Sequence, residues 1–188
     1  MSVVMPMNLP NWLTVSRILL IPLFVVVFYL PWRGAEGAAA VIFVVAAITD
    51  WLDGYLARRW GQTSRFGAFL DPVADKLIVA VALIVVLQRD ARALMVLPVV
   101  IIISREITVS ALREWMAEIG ERTKVAVSGL GKLKTTVQMV ALVLLIGFQR
   151  NNPLYTLGVA GLYAAALLTV WSMASYLRAA WPSLKANA

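Results

Sequence analysis

Apolar residues dominate this chain in six long runs separated by short polar segments, at about residues 12–30, 37–57, 69–87, 93–112, 135–148 and 154–177. Most come close to the roughly 20 residues that a helix needs to cross a bilayer. The run at 135–148 is shorter and has room to begin nearer Gly131. A core helix of a soluble protein carries one apolar stripe, whereas these runs are apolar most of the way round, so their solvent is lipid. The pattern predicts an all-α membrane protein with six transmembrane helices in a single domain spanning 1–188. Residues 5–14 do not continue the pattern. Pro6 and Pro10 interrupt them, Asn11 suits a helix N-cap and Trp12 suits the interface, which predicts a short interfacial segment before the first span. Trp32, Trp60 and Trp181 are placed for an aromatic belt. No basic n-region precedes the first run and no A-x-A site follows it closely, so it reads as a retained helix. The sequence shows neither an internal repeat nor a low-complexity tract.

Loop charge sets the orientation. One side collects Arg58, Arg59, Arg65, Arg113, Arg122, Lys124, Lys132, Lys134, Arg178 and Lys185. The other holds Arg33, Arg89, Arg92 and Arg150. The richer side is cytoplasmic by the positive-inside rule, and six spans then leave both termini cytoplasmic. The net charge of +7 is a product of this topology, with attraction to anionic membrane lipids, and no compact basic module points to nucleic acid. Arg17, Lys76 and Arg105 fall at or near membrane depth, where a cation needs an anionic partner or must snorkel to the interface.

Composition narrows the chemistry. The chain is 61% hydrophobic and 14% charged, with no Cys and no His. Thiol nucleophiles, disulfides, imidazole bases and the usual zinc sites are excluded, and oxygen ligands for Mg²⁺, Mn²⁺ or Ca²⁺ remain.

Against that background stand Asp50, Asp53, Asp71 and Asp75. Each carboxylate in a span costs about 2.5–3.5 kcal/mol on insertion scales, on the order of 10 kcal/mol for four left unpaired. Asp50 and Asp53 lie near the cytoplasmic end of the second run, at i, i+3 and so about 60° apart on one face. Asp71 and Asp75 open the third run from the same side, at i, i+4 and about 40° apart. Pro72 between them is tolerable if it falls early in the helix. Antiparallel neighbours bring the two pairs to one level, where their repulsion demands cations; a divalent pair about 4 Å apart makes a phosphoryl-transfer site. Gly54 and Gly67 flank the aspartates and Ala57 extends the same small-residue surface, which serves helix packing or close approach of a ligand. Arg58 is placed to meet a phosphate at the membrane surface, or serves as a topology charge like neighbouring Arg59.

A second polar group is cationic: Arg105, Arg113, Lys132 and Lys134. Arg105 and Arg113 are eight residues apart and share a helix face. Glu106 either neutralises Arg105 or joins it in a polar site. The run from Gly129 to Thr135 is not a Walker A loop, because Leu133 follows Lys132 and the upstream Gly is missing. Its lysines can still hold a phosphate as point charges, or serve topology alone.

The pattern D50-x2-D53-G54-x2-A57-R58-x8-G67-x3-D71-x3-D75 resembles the signature of the CDP-alcohol phosphotransferase family at every position and in both spacings. The six spans also resemble that family's architecture. The stretches N8-L-P-N-W-L-T-V-S-R17, S104-R-E-I-T-V-S-A-L-R-E114 and G131-K-L-K-T135 are similar to its phosphatidylglycerophosphate-forming branch. The resemblance implies that Asp50, Asp53, Asp71 and Asp75 bind two Mg²⁺ or Mn²⁺ ions, with Asp75 also the general base on the acceptor hydroxyl. It implies that Gly54, Ala57, Arg58 and Gly67 lie along the CDP moiety of CDP-diacylglycerol, with Thr14 and Arg17 towards the nucleotide end. Arg105, Arg113, Lys132 and Lys134 would hold the phosphate of glycerol 3-phosphate. Members commonly form homodimers, and a homodimer in a bacterial-type cytoplasmic membrane joins the expectations.

The physics of the sequence agrees. A lipid-held pyrophosphate and a water-soluble alcohol meet at headgroup depth, and without His an Asp must take the hydroxyl proton. The expected reaction gives phosphatidylglycerol phosphate and CMP. A sibling reaction on inositol phosphate, serine or phosphatidylglycerol is the first rival. A divalent-cation transporter is the second, opposed by the absence of acidic residues further outward in the second and third runs.

Overall fold

The computed structural model describes residues 9–60, 65–121 and 129–186, and all of its regular structure is helical. The order is α1 (Leu9–Phe28), α2 (Ala35–Trp60), α3 (Arg65–Arg89), α4 (Ala93–Glu118), α5 (Gly129–Gly147) and α6 (Pro153–Ala186). Each apolar run has become one helix. The helices are longer than the runs because polar residues at their ends continue the backbone hydrogen bonding beyond the apolar stretch.

Two expectations change at these boundaries. Asn11 is not an N-cap: α1 already begins at Leu9, and Pro10 fits the first turn, where a helix has no use for the proline N–H. The interfacial segment expected at 5–14 therefore overlaps helix from Leu9 on, and its beginning lies outside the described residues. Pro72 is not an early residue: α3 starts at Arg65, so Pro72 sits two turns in, where it cannot donate to the carbonyl of residue 68.

Chain ends are set by local chemistry. At α6 the Asn152 carboxamide oxygen accepts from the Leu154 N–H at 2.9 Å, and Pro153 occupies the first helical position. At the end of α4, Gly120 adopts φ of 77°, the Gly120 N–H bonds the Ala117 carbonyl and the Glu121 N–H reaches back to that of Met116 at 2.8 Å. That left-handed stop requires glycine.

The chain divides into two compact units, residues 1–85 with 146–148, and residues 86–145 with 149–188. In the first, α1 packs on α2. Phe24 is fully buried between Phe28 and Phe43, with ring centroids 6.2 Å from each, and Ala35, Ala39, Ala40 and Ala46 keep α2 slender. In the second, α4 packs on α6 through Val109, Met116, Tyr176 and Ala180. There α5 and α6 approach closely: a Cβ on Gly161 would meet that of Ala141 at 3.1 Å. Small residues at such crossings let backbones approach, the usual device where lipid supplies no hydrophobic force between helices.

Large apolar side chains face outward on every helix: Leu19 and Val26, Val41 and Ile48, Ile84, Leu97 and Ile107, Val140, and Leu167 and Trp171. In water such a surface is a liability; against lipid tails it is the matching one. Of the described helices, α4 and α6 are each long and apolar enough to cross a membrane.

Candidate functional site

Two polar clusters stand out, one in each unit. In the first, α2 carries Asp50 and α3 carries Asp71, near enough for their charges to interact. Helix α1 supplies a partner to each. Arg17 is fully buried, and its Nη1 lies 2.7 Å from Oδ1 of Asp50, whose side chain is 40% exposed. One turn earlier, the Thr14 hydroxyl donates to Oδ1 of Asp71. Arg17, itself buried, thus pairs with a half-exposed carboxylate instead of snorkelling. Asp75 lies one turn after Asp71 on α3 and is exposed; Gly67 is buried in the first turn of the same helix. Asp53, Gly54, Ala57 and Arg58 belong to α2, and their side chains lie outside the described residues. Among the described residues no three carboxylates gather into a metal-binding group. The donor set does suit a hard divalent cation: oxygen ligands, a like-charged pair and one buried arginine that offsets a single negative charge.

The second cluster is cationic and lies between α4, α5 and α6. Arg105 is 7% exposed and Lys134 is 2% exposed. Both donate to Oε1 of Glu106, Arg105 at 3.2 Å. The Arg105 guanidinium also donates to the Ser172 hydroxyl at 3.1 Å and lies over the Tyr176 ring, 5.6 Å from its centroid. Arg113, two turns on, stacks on the same ring at 5.0 Å and donates to the Tyr176 hydroxyl at 2.7 Å. The eight-residue spacing of the two arginines therefore places both against one aromatic side chain. Lys132 is in the first turn of α5, and its side chain lies outside the described residues.

A third group is structural, and nothing at the level of motif marks it. Asp90, in the turn before α4, is completely buried. It accepts from Arg92 through both oxygens, at 2.7 and 2.6 Å, and from the Tyr155 hydroxyl at 2.7 Å, with Arg150 at 3.6 Å. The Arg92 hydrogen bonds, joined by that of Tyr155 and the charge of Arg150, hold the Asp90 carboxyl down at about 2. The one signal in the sequence is a carboxylate bracketed by Arg89 and Arg92 between two apolar runs. Tyr176 and Ser172 are the residues of the cationic cluster that sequence reasoning missed. Their one legible trait is that they recur at helical spacing in α6.

With this geometry in place, kinship decides the class. The family model for CDP-alcohol phosphatidyltransferases matches residues 7–171, a span that takes in the first cluster and the charged residues of the second. The chain belongs to the CDP-alcohol phosphatidyltransferase family. It is an enzyme of that family and a transferase of phospholipid synthesis. A CDP-diacylglycerol–glycerol-3-phosphate 3-phosphatidyltransferase of Sodalis glossinidius is 56% identical over 176 residues, 94% of this chain and 96% of its own. Its namesake in Haemophilus influenzae is 52% identical over 183 residues, 97% of this chain and 98% of its own. The one in Salmonella typhimurium is 55% identical over 176 residues, with 94% and 96% covered. The family relationship therefore spans nearly the whole chain.

Proposed function

We propose that this transferase moves the phosphatidyl group of CDP-diacylglycerol to glycerol 3-phosphate, giving phosphatidylglycerol phosphate and CMP. The observation that carries the acceptor is the charge of the buried cluster on α4–α6. Its three cations, Arg105, Arg113 and Lys134, less the one carboxylate Glu106, leave a surplus of two positive charges among the described side chains. A phosphate monoester carries about −1.5 to −2 at neutral pH. A neutral or zwitterionic acceptor such as serine or inositol would leave that surplus buried and unmatched, at a cost of several kcal/mol per ion. The names of the relatives point to the same two substrates.

The chemistry rests on the other cluster. Asp75 takes the proton of the acceptor hydroxyl. The freed oxygen attacks the phosphorus that bears the diacylglycerol, and the bond from that phosphorus to CMP breaks. A divalent pair, Mg²⁺ or Mn²⁺, held by Asp50, Asp53, Asp71 and Asp75 supplies the positive charge that offsets the pyrophosphate and the leaving CMP. Arg17 and Thr14 fix the orientation of Asp50 and Asp71 from α1. Gly54, Ala57, Arg58 and Gly67 form the surface along the CDP moiety, with Thr14 and Arg17 towards its nucleotide end. Lys132 joins the acceptor cluster from the start of α5. We place all six helices across a bacterial cytoplasmic membrane as one integral domain, both termini and the catalytic aspartates on the cytoplasmic side. The outward-facing apolar residues on every helix and the asymmetry of loop cations support this. A homodimer is part of the proposal.

The test is purified protein in detergent with CDP-diacylglycerol, Mg²⁺ and a panel of radiolabelled acceptors: glycerol 3-phosphate, serine, inositol, inositol phosphate and glycerol. Label should pass into the lipid fraction with glycerol 3-phosphate alone. Transfer to serine or to glycerol at a comparable rate would overturn the acceptor assignment. Absence of transfer with every acceptor, together with divalent-ion flux in liposomes, would overturn the proposed reaction.

A further inference from the structure

We propose that Glu106 is a positioning residue for the acceptor: its carboxylate draws Lys134 and Arg105 together and aims them at one spot, where the acceptor's phosphate binds. This rests on the cationic cluster being the acceptor subsite. Nothing about a phosphate site asks for a carboxylate within it, yet Glu106 lies at its centre. A single oxygen of Glu106 receives a cation from its own helix, Arg105, and another from α5, Lys134. Both cations are cut off from water, Lys134 at 2% and Arg105 at 7% exposure. A buried ammonium or guanidinium with no anion beside it is strongly destabilised, and a lysine so placed tends to give up its proton. Before the substrate arrives, Glu106 meets that requirement.

The geometry also separates positioning from competition. The opposite edge of the Arg105 guanidinium is tied to Ser172 and its face lies on Tyr176, which Arg113 shares from the next turns of α4. The two arginines are therefore fixed by uncharged partners as well, and one carboxylate among three cations does not cancel the site. Glu106 keeps a quarter of its side chain exposed, so solvent still reaches the point where Arg105 and Lys134 meet.

The test is steady-state kinetics of the full chain in detergent for Glu106→Gln, Glu106→Asp and Arg105→Ala, varying glycerol 3-phosphate and CDP-diacylglycerol separately. A charge-assisted hydrogen bond lost to Gln should raise the KM for glycerol 3-phosphate by about tenfold, with kcat and the donor KM changed less than about threefold. Asp, which keeps the charge one methylene back, should fall between Gln and the natural residue. A fall in acceptor KM for the Gln variant would make Glu106 a competitor of the phosphate and overturn the proposal. Parallel changes in both KM values and kcat, without rescue by Asp, would reduce it to a structural residue. If the Gln variant does not fold, the Asp variant decides alone: an acceptor-specific rise of about threefold supports positioning, and equal shifts for both substrates overturn it. Arg105→Ala separates the two layers. If it leaves the acceptor KM unchanged, the subsite reading fails and Glu106 falls with it; if it raises that KM while both Glu106 variants do not, the Glu106 proposal alone fails.

Discussion

The unit built on α1, α2 and α3 and the unit built on α4, α5 and α6 each hold a charged cluster, with opposite signs in surplus among the described side chains. In the first, Asp50 and Asp71 interact as like charges, and α1 answers with one arginine and one hydroxyl. In the second, Arg105 and Lys134 meet on Glu106, while Ser172 accepts a hydrogen bond from Arg105 and Tyr176 one from Arg113. Among the described side chains each cluster keeps a surplus of one sign, and the proposed ligands carry the opposite one: cations for the aspartates, a phosphate for the arginines and lysine. The Asp90 group is the instructive contrast. Its buried carboxylate is met by Arg92, Tyr155 and Arg150, which ties the turn before α4 to the start of α6.

The largest effect should come from breaking the first cluster. Asp75→Asn or Asp71→Asn should lower kcat by about a thousandfold or more while the variant still elutes as folded protein, since loss of a general base alone costs about 10² to 10⁴. Near-normal turnover in Asp75→Asn would remove that residue from the role of base. Removing divalent cations with EDTA should abolish turnover in the same way and reversibly, with Mg²⁺ or Mn²⁺ restoring it. A smaller effect should separate the clusters: Arg105→Ala should raise the KM for glycerol 3-phosphate by about tenfold or more with the donor KM nearly unchanged. Equal changes in both would merge two sites that the account keeps apart.

Below these come effects on stability. Arg17→Met leaves Asp50 without its cation; because Asp50 is 40% exposed, the cost should be about 1–2 kcal/mol, seen as a fall of several degrees in Tm. The smallest concerns Asp90. Its carboxyl titrates at about 2 when folded, below the ordinary value of 3.8, so the folded state is favoured while the group is ionised. That contribution is fully present above about pH 4 and is lost as the pH falls towards 2. Asp90→Asn should lower Tm at pH 7, flatten the loss of stability below pH 4, and leave both KM values alone. An acid limb identical to that of the natural protein would contradict the assignment.

Much of this was legible because lipid makes polarity expensive. A run of apolar residues has few options but a helix, and all six were found where the pattern put them. The four aspartates were conspicuous for the same reason, and their spacing placed them on α2 and α3. What the pattern missed were partners supplied by distant helices. Thr14 and Arg17 were read as residues towards the nucleotide; that they also meet Asp71 and Asp50 only appears once α1 is packed in place. Tyr176 and Ser172 carry no charge and look like ordinary α6 residues until α4 is packed against them. Asn11 and Pro72 were misread because helix ends are set by competition among several weak signals, and here the helix won by several residues at each.

The central claim is that one cluster performs metal-dependent transfer and the other selects a phosphorylated acceptor. Its most direct test is the rate of CMP release from CDP-diacylglycerol by purified protein, with and without glycerol 3-phosphate, and with Mg²⁺ replaced by EDTA. The account predicts release only when glycerol 3-phosphate and the divalent ion are both present. Release that persists in EDTA, or that proceeds equally well with serine in place of glycerol 3-phosphate, would contradict it.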